Sequence, residues 1–303
     1  MGCATPTTSS TSADSPSVSR DGRASDGIPT IRVRRVNLVH TLNVVQNLSR
    51  AHLKVVPDDR RERSRDKKRR AILGAADELI AETGLAGVTM HGVADRLDCA
   101  VGTIYLYFDS KALLIGALQQ EAVGTLRASY EAARPGWNDE LGAAALEPDL
   151  TALVQLCAFG AFWVAASVVF ADEFHLQRAL LSEPAALDAE GHDRESLATI
   201  RRLLDQPSGL IRAAGEIGAV SAGDAEERAV LWLAALNGVL LLEHVAPVDR
   251  HLFRSHHLGR RLTHDLLCGW GAERGDVEVA AGHVERLAAL GPMAPPPDVS
   301  RFD

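Results

Sequence analysis

The sequence predicts an all-α protein, and three observations carry this prediction. First, apolar residues recur at helical spacing, as in the i, i+4, i+7 series Ile72, Ala76 and Leu79. Second, the alternation of apolar and polar residues that is typical of strands is nearly absent. Third, proline and glycine breaks separate the periodic segments. After a first helix that closes at Thr83 and Gly84, these segments lie at roughly 110–133, 149–182, 193–217, 224–245, 256–271 and 276–290.

Composition and cysteine spacing exclude several classes of protein. Hydrophobic residues make up 46% of the chain and charged residues 24%, which is ordinary for a globular protein and excludes a wholly disordered or collagen-like chain. Four cysteines are far apart and form no CxxC pair, so a disulfide framework or a zinc ribbon is not expected. Reduced cysteines fit a cytoplasmic location. The Ser/Thr-rich N-terminus lacks the apolar core of a secretory signal.

Positive charge is concentrated in one short run of an acidic protein. The formal net charge is −8, yet the run RRERSRDKKRR over residues 60–70 holds eight bases and two acids. Such asymmetry is typical of a domain with a polyanionic partner, although a basic run can also be a solvated tail.

Two short helices and a tight turn are predicted between Thr89 and Lys111, in the sequence TMHGVADRLDCAVGTIYLYFDSK. The Thr89 hydroxyl can cap the first helix. The turn falls at Asp98, and aspartate is one of the few residues besides glycine that visit positive φ at tolerable cost. A second helix over residues 101–107 turns Ile104 inward. This pattern predicts a helix-turn-helix whose second helix is shaped for a major groove.

The outer side of this second helix carries groups suited to DNA. Thr103 can reach a base edge or a phosphate, and Gly102 lets the backbone approach the duplex. Tyr105, Tyr107 and Lys111 can donate hydrogen bonds to phosphate oxygens. The cluster Lys67, Lys68, Arg69 and Arg70 is predicted to add electrostatic, salt-dependent affinity. The alternative is a helical corner that is merely structural.

Residues 69–114 closely resemble the N-terminal domain of the tetracycline-repressor (TetR) family of bacterial transcription regulators. The matching positions are Ile72, Ala75, Ala76, Gly84, Thr89, Val93, Ala94, Leu97, Gly102, Thr103, Ile104, Tyr105, Tyr107, Phe108, Lys111, Ala112 and Leu113. The resemblance implies that Thr89, Thr103, Tyr105, Tyr107 and Lys111 touch operator DNA. Asp98 and Cys99 depart from the family pattern, which has glycine and an apolar residue at these positions of the turn.

Composition predicts the two terminal segments, and the resemblance implies the two domains between them. We expect a disordered N-terminal extension at 1–62, a three-helix helix-turn-helix domain at 63–112, a larger helical domain for effector binding and dimerisation at 113–290, and a Pro-rich tail at 291–303. The helices predicted at Ala229–Leu242 and Leu258–Trp270 are candidates for a homodimer interface, with an intramolecular core as the alternative. Such a protein is expected to be a repressor, without cofactor or catalytic residues, that binds double-stranded DNA and a small effector.

A series of aromatic residues marks the candidate effector site. Phe159, Trp163 and Phe170 share one helix face, with Phe162 and Phe174 beside it. If this face lines a pocket and not only a core, the effector is predicted to be hydrophobic or planar. His257 and His264 share a face, but no further ligand stands at a suitable spacing, so no metal site is expected.

Two rival classes remain open at this stage. One is an all-α ligand-binding protein or enzyme, although no catalytic constellation or phosphate-binding loop appears at usable spacing. The other is a membrane-anchored regulator that uses the 22 uncharged residues 150–171. The polar Thr151, Gln155 and Ser167 in this stretch favour a helix buried in an all-α core, and no membrane partner is expected.

Overall fold

A computed structural model describes residues 57–182, 192–245, 247–249 and 252–296 of the chain. These residues form helices and contain no strand, as predicted for the all-α class. A short 3₁₀ helix, Leu242–Val245, follows the eighth α-helix. The α-helices are α1 (Pro57–Gly87), α2 (Met90–Arg96), α3 (Val101–Tyr105), α4 (Lys111–Ala144), α5 (Pro148–Val169), α6 (Ala171–Ser182), α7 (His192–Glu216), α8 (Ala225–Leu241), α9 (Ser255–Gly269) and α10 (Arg274–Leu290).

One apolar core joins α1, α2, α3 and the first turns of α4. Ile72, Val93, Ile104 and Leu114 are each almost fully buried in it. Arg96, at the end of α2, forms ion pairs with Glu78 and Glu82 of α1. The three-helix unit is thus held by a shared core and, at its surface, by a guanidinium that bridges two carboxylates one turn apart.

A second, larger core surrounds α5. Helices α7, α9 and α10 pack against α5, whose buried residues include Phe159, Phe162 and Trp163. Glycines permit the closest approach: a Cβ at Gly160 would lie 2.6 Å from Thr263 Oγ1, and one at Gly259 would lie 2.7 Å from Val164. By length and composition α5 could cross a membrane, but 67% of its most apolar window is buried inside the fold. This burial accounts for its composition without a membrane.

Helix α6 takes part in both cores. Phe174 belongs to the core around α5, and its ring meets that of Trp163 edge-on at 4.9 Å. Leu176 and Ala179, less than two turns further on, are buried against the helix-turn-helix core. One rigid helix therefore connects the aromatic residues of the body with the N-terminal domain.

Two predicted segments of the body differ from the helices in the structure. Helix α4 continues through Pro135 to Ala144, whereas the sequence predicted its end near residue 133. Trp137 and Leu141 are buried beyond the proline, and this packing offsets the missing backbone hydrogen bond. The single segment predicted at 149–182 is instead two helices, because Phe170 (φ −117°, ψ 54°) leaves the helical conformation.

The predicted terminal segments lie only partly within the described ranges. Helix α1 begins at Pro57, so its first residues fall inside the predicted extension 1–62; residues 1–56 lie outside the described ranges. At the other end, Met293 and Ala294 are buried in the body core, and Ser129 Oγ donates to the carbonyl of Pro295 at 2.6 Å. The start of the predicted tail is therefore part of the fold, and residues 297–303 lie outside the described ranges.

Glycine is required at the kink near the end of α1. Gly84 adopts φ 73° and ψ 171°, a region essentially restricted to glycine. Gly84→Ala is expected to lower the free energy of unfolding by about 1–3 kcal/mol, since a Cβ meets no atom within 4 Å and only backbone strain is added. Gly124→Ala, in an equally open position inside α4, is the control and should stabilise by about 0.5–1 kcal/mol. Urea unfolding measures the free energy of unfolding of both variants. Equal effects of the two substitutions would contradict the requirement for glycine at Gly84.

Candidate DNA-binding site

The helix-turn-helix is built by local signals that the sequence displays. Thr89 is the N-cap of α2, and its Oγ1 accepts a hydrogen bond from the Gly92 N–H at 3.0 Å. Asp98 has φ 50°, as predicted for a turn position that usually holds glycine. The Cys99 N–H donates to the Ala94 carbonyl at 3.0 Å and closes the turn. These bonds fix the angle at which α3 leaves the turn.

Helix α3 presents a distinct inner and outer face. Ile104 is fully buried, and Phe108, just beyond the helix, is nearly so. On the outside, Gly102 is exposed, and Tyr105 and Leu106 are 46% and 75% exposed. The helix ends at Tyr105, two residues earlier than predicted, and continues as a turn. The outer face therefore consists of a glycine and two large side chains, with Thr103 partly buried at its edge.

Two predicted contact residues have surroundings that the sequence did not indicate. Tyr107 is partly buried and packs against the helix-turn-helix core, so it lies less far outward than expected. The Lys111 ammonium donates to the Ala86 carbonyl at 3.2 Å, at the C-terminus of α1. A cation is favourable at that end of a helix dipole. Lysine has three donors, so the same ammonium can still donate to a phosphate.

The basic cluster lies next to this recognition segment, by which we mean residues 101–108. Lys67, Lys68 and Arg70 are exposed on α1. The Arg69 guanidinium is partly buried and lies 5.1 Å from the centroid of the Phe108 ring, a cation–π contact. The sequence alone did not predict this contact, which joins the basic cluster to the end of the recognition segment.

Sequence reasoning left two exposed residues out of the candidate site. Leu106 is the most exposed apolar side chain of the recognition segment, and an apolar group at this position can contact a thymine methyl. His91 is exposed in the first turn of α2, beside Thr89. Helical spacing places Leu106 on the outer side of α3, whereas the exposure of His91 depends on how α2 is oriented, which spacing does not reveal.

Carboxylates meet where α1, α4 and α6 pack together. Burial raises the pKa of Glu121 on α4; Asp77 of α1 adds to the rise, whereas Arg69 and Arg70 oppose it. Burial likewise raises the pKa of Glu173 on α6, with a further contribution from Asp77. The contact between α6 and the helix-turn-helix domain therefore carries negative charge that the fold disfavours.

This charge gives a pH-dependent prediction for Glu121→Gln. The pKa of Glu121 is higher in the folded than in the unfolded state. Ionisation of Glu121 therefore lowers the free energy of unfolding as the pH rises from the ordinary pKa of 4.5 through the folded pKa. The variant should have a higher Tm than the natural protein at pH 7.5, and the difference should shrink at pH 4.5. Glu278→Gln, at an exposed position of α10, is the control. A difference in Tm that does not change with pH would contradict the raised pKa of Glu121.

The predicted effector residues are buried together in the body. The Tyr130 ring meets those of Phe159 and Phe162 edge-on at 5.3 and 5.1 Å, and Phe159 stacks on Trp163 at 6.0 Å. Burial raises the pKa of Tyr130 to about 12. The Trp163 Nε1–H is buried and has no hydrogen-bond partner among the described residues. Such an unpaired donor is uncommon in a core.

A small cavity reaches this aromatic cluster from the surface. It encloses about 20 Å³, room for roughly one water molecule. Phe159, Phe162 and Trp163 line it, whereas Phe170 and Phe174 do not. Its lining also includes the exposed Arg127 and Arg202 and the partly buried Gln206. In this conformation the predicted series is mainly core, with three of its five members at the cavity.

Helix α8 has one buried and one exposed apolar face. Trp232 and Leu236 are fully buried, and Trp232 Nε1 donates to Thr263 Oγ1 of α9 at 3.2 Å. The opposite side, continued by the 3₁₀ helix, carries the exposed residues Val230, Leu231, Ala234, Gly238, Leu241, Leu242 and Val245, which we call the α8 stripe. The intramolecular core thus accounts for half of the helix.

Histidines do not form a metal site in the described part of the chain. No group of three His, Cys, Asp or Glu side chains there could hold a metal ion. His264 Nδ1 lies 3.3 Å from Asp265 Oδ1 and 3.9 Å from Cys268 Sγ, and His257 is exposed on the same helix. His251 lies outside the described residues.

Comparison with known proteins connects these features to a family. Residues 72–118 match the family of bacterial regulatory proteins, tetR family. The chain is 43% identical over 65 residues to the HTH-type transcriptional repressor KstR of Rhodococcus jostii (strain RHA1), covering 21% of this chain and 31% of the relative. It is 47% identical over 55 residues to KstR of Mycobacterium tuberculosis (strain ATCC 25618 / H37Rv), covering 18% and 25%. The chain thus spans less than a third of the length of these relatives.

A solved structure extends the comparison at low identity. SmeT, the repressor of the Stenotrophomonas maltophilia multidrug efflux pump SmeDEF, aligns with 19% identity, a TM-score of 0.44, and coverage of 67% of this chain and 89% of that chain.

The capped α2, the Asp98 turn and the two-faced α3 define a helix-turn-helix domain, and the matched residues 72–118 contain all three features. Over residues 72–118 the chain matches the tetracycline-repressor family. The resemblance predicted from residues 69–114 is thereby confirmed. The matched family is one of bacterial regulatory proteins, and the two relatives are transcriptional repressors.

Proposed function

We propose that the protein is a cytoplasmic, homodimeric repressor that binds a near-palindromic operator and is released from it by a small hydrophobic or aromatic effector. The observation that carries the proposal is the recognition segment, in which a buried Ile104 anchors a helix whose opposite face exposes Gly102, Tyr105 and Leu106. The curated relatives that share the N-terminal region are transcriptional repressors.

In this proposal each predicted DNA contact has a defined part. Thr103, Tyr105 and Leu106 read base edges or the adjacent backbone, and Gly102 lets the helix approach the groove. Contacts to the phosphates come from Thr89, Tyr107, Lys111 and the basic cluster Lys67, Lys68, Arg69 and Arg70. The domain is that predicted at 63–112, which includes the basic cluster of α1.

Dimerisation is proposed to use the α8 stripe, together with the exposed side of α9. Val230, Leu231, Leu241 and Leu242 form an exposed apolar surface that a second copy would cover, and Ala234 and Gly238 allow two helices to approach closely. A dimer places two recognition segments in successive major grooves about 34–36 Å apart, which requires a two-fold symmetric operator.

The effector is proposed to enter the aromatic cluster by enlarging the cavity at Phe159, Phe162 and Trp163. An acceptor on the effector would satisfy the unpaired Trp163 Nε1–H. Phe170 and Phe174 would form the wall behind Trp163. Displacement of Phe174 would move α6 and thereby the helix-turn-helix core, which Leu176 and Ala179 contact. The effector must bind the released conformation more tightly for this to act as a switch.

Selection of bound duplexes from a random DNA pool tests the proposed function. The full chain is expected to enrich a near-palindrome with half-sites about 10–10.5 bp apart, or a multiple of that spacing. Enrichment of no sequence, or of sites without two-fold symmetry, would contradict the proposal. A duplex identified in this way is called the selected operator below.

A further inference from the structure

The first turns of α1 project beyond the helix-turn-helix core. Residues 60–68 are all exposed, and the first fully buried side chains are Ile72 and Leu73. At 1.5 Å per residue, residues 60–70 extend over roughly 16 Å. Helices of globular proteins are stabilised mostly by packing of an apolar face, and this stretch has no such face. Its sequence therefore serves something other than the core of the domain.

The basic and acidic residues of the segment 60–68 lie on different sides of the helix. At 3.6 residues per turn, the six bases among residues 60–68 cover about 200° of the circumference, and Glu62 and Asp66 share the remaining side. The like-charged pairs Arg61/Arg65, Arg63/Lys67 and Arg65/Arg69, at i, i+4 spacing, disfavour an isolated helix. A polyanion along the basic side would relieve this repulsion.

The segment 60–68 joins the rest of the domain next to the recognition segment. Arg69, at its inner end, lies over the ring of Phe108, the last residue of that segment. Within the described ranges, Arg60, Arg61 and Arg65 form no ion pair, so their guanidinium groups are not occupied by the acidic body. These three guanidinium groups lie on the helix that contacts the recognition segment. The duplex bound by that segment is therefore the partner we infer for them.

We propose that residues 60–68 of α1 form a basic arm that binds the sugar–phosphate backbone of the DNA beside the groove entered by the recognition segment. This inference rests on the proposed DNA-binding function and extends its phosphate contacts from Lys67 and Lys68 to the preceding arginines of α1. The arm contributes affinity and salt dependence but no base preference, because phosphates carry no sequence information.

The test compares the natural full-length chain with the variant Arg60→Gln, Arg61→Gln, Arg65→Gln. The matched control is Arg201→Gln, Arg212→Gln, Arg274→Gln, which removes three exposed arginines from the body. Binding to the selected operator is measured by fluorescence anisotropy between 50 and 300 mM KCl, and circular dichroism compares the folded content of the three proteins. Each phosphate contact contributes about −0.9 to the slope of log Kobs against log[salt].

The arm variant should show a slope shallower by up to about 5, because each protomer of a dimer would bind three fewer phosphates, with an unchanged base preference. The control should keep the natural slope. If the arm variant keeps the natural slope while the natural chain binds the operator, the arm is refuted and the proposed function stands. A changed base preference would also refute it, because the arm would then contact bases. If the natural chain binds no duplex, it is the proposed function that fails.

Discussion

Replacing Thr103 and Tyr105 together with alanine should weaken binding to the selected operator by about a thousandfold. A hydrogen bond contributes about 1 kcal/mol net, and a dimer makes each of the two contacts twice, so about 4 kcal/mol is lost; every 1.4 kcal/mol is a factor of ten. Both side chains lie at the outer edge of α3, away from the buried Ile104, so the fold should be retained. Titration of the operator by fluorescence anisotropy measures the weakening.

Two controls distinguish a weakened DNA interface from a damaged fold. Tyr105→Phe removes only the hydroxyl and should cost less than the alanine substitution. Tyr130→Phe changes a buried tyrosine of the body, far along α4 from its N-terminus, and should leave the operator affinity unchanged. Full-strength binding by the double alanine variant would show that α3 does not read the operator.

Placing charges on the α8 stripe is expected to separate the protomers. In Leu231→Lys, Leu241→Lys, two ammonium groups replace apolar side chains that are 55% and 52% exposed in the single chain and that a partner would bury. Burying an unpaired charge in an interface is strongly unfavourable. The variant should run as a monomer by light scattering and bind the operator at least about a hundredfold more weakly, since linkage of two sites adds affinity of this order.

The matched control places the same charges on other exposed apolar positions. Leu197→Lys on α7 and Val279→Lys on α10 alter side chains that are similarly exposed, outside the α8 stripe. This variant should remain dimeric and bind normally. A dimer formed by the α8 variant, or a monomer formed by the control, would place the interface elsewhere.

Local chemistry explains which parts of the fold the sequence could predict. Thr89, Gly84 and Asp98 act through their own backbone and nearest neighbours, so a cap, a break in the first helix and a positive-φ turn could be predicted from residue type and position. At Gly84 the predicted helix end is instead a kink, after which α1 continues to Gly87. The inward position of Ile104 followed from helical spacing. These are the features that determine the helix-turn-helix.

Features that depend on tertiary packing could not be predicted in this way. Pro135 predicts a helix end, but burial of Trp137 beyond it keeps α4 continuous. Tyr107 is drawn partly into the core because α3 ends at Tyr105. Lys111 reaches Ala86, 25 positions earlier in the chain, which spacing within one helix cannot indicate. In the body, aromatic spacing alone could not separate core from cavity, and the structure has both at Phe159.

Hydrogen–deuterium exchange of the full chain, with and without the selected operator, tests the central claim most directly. If the outer face of α3 enters the groove, backbone amides in residues 89–92 and 101–107 should exchange more slowly in the complex, while those of α10 should be unaffected. Unchanged exchange across residues 101–107, with protection confined to other surfaces of the operator-bound protein, would contradict the account.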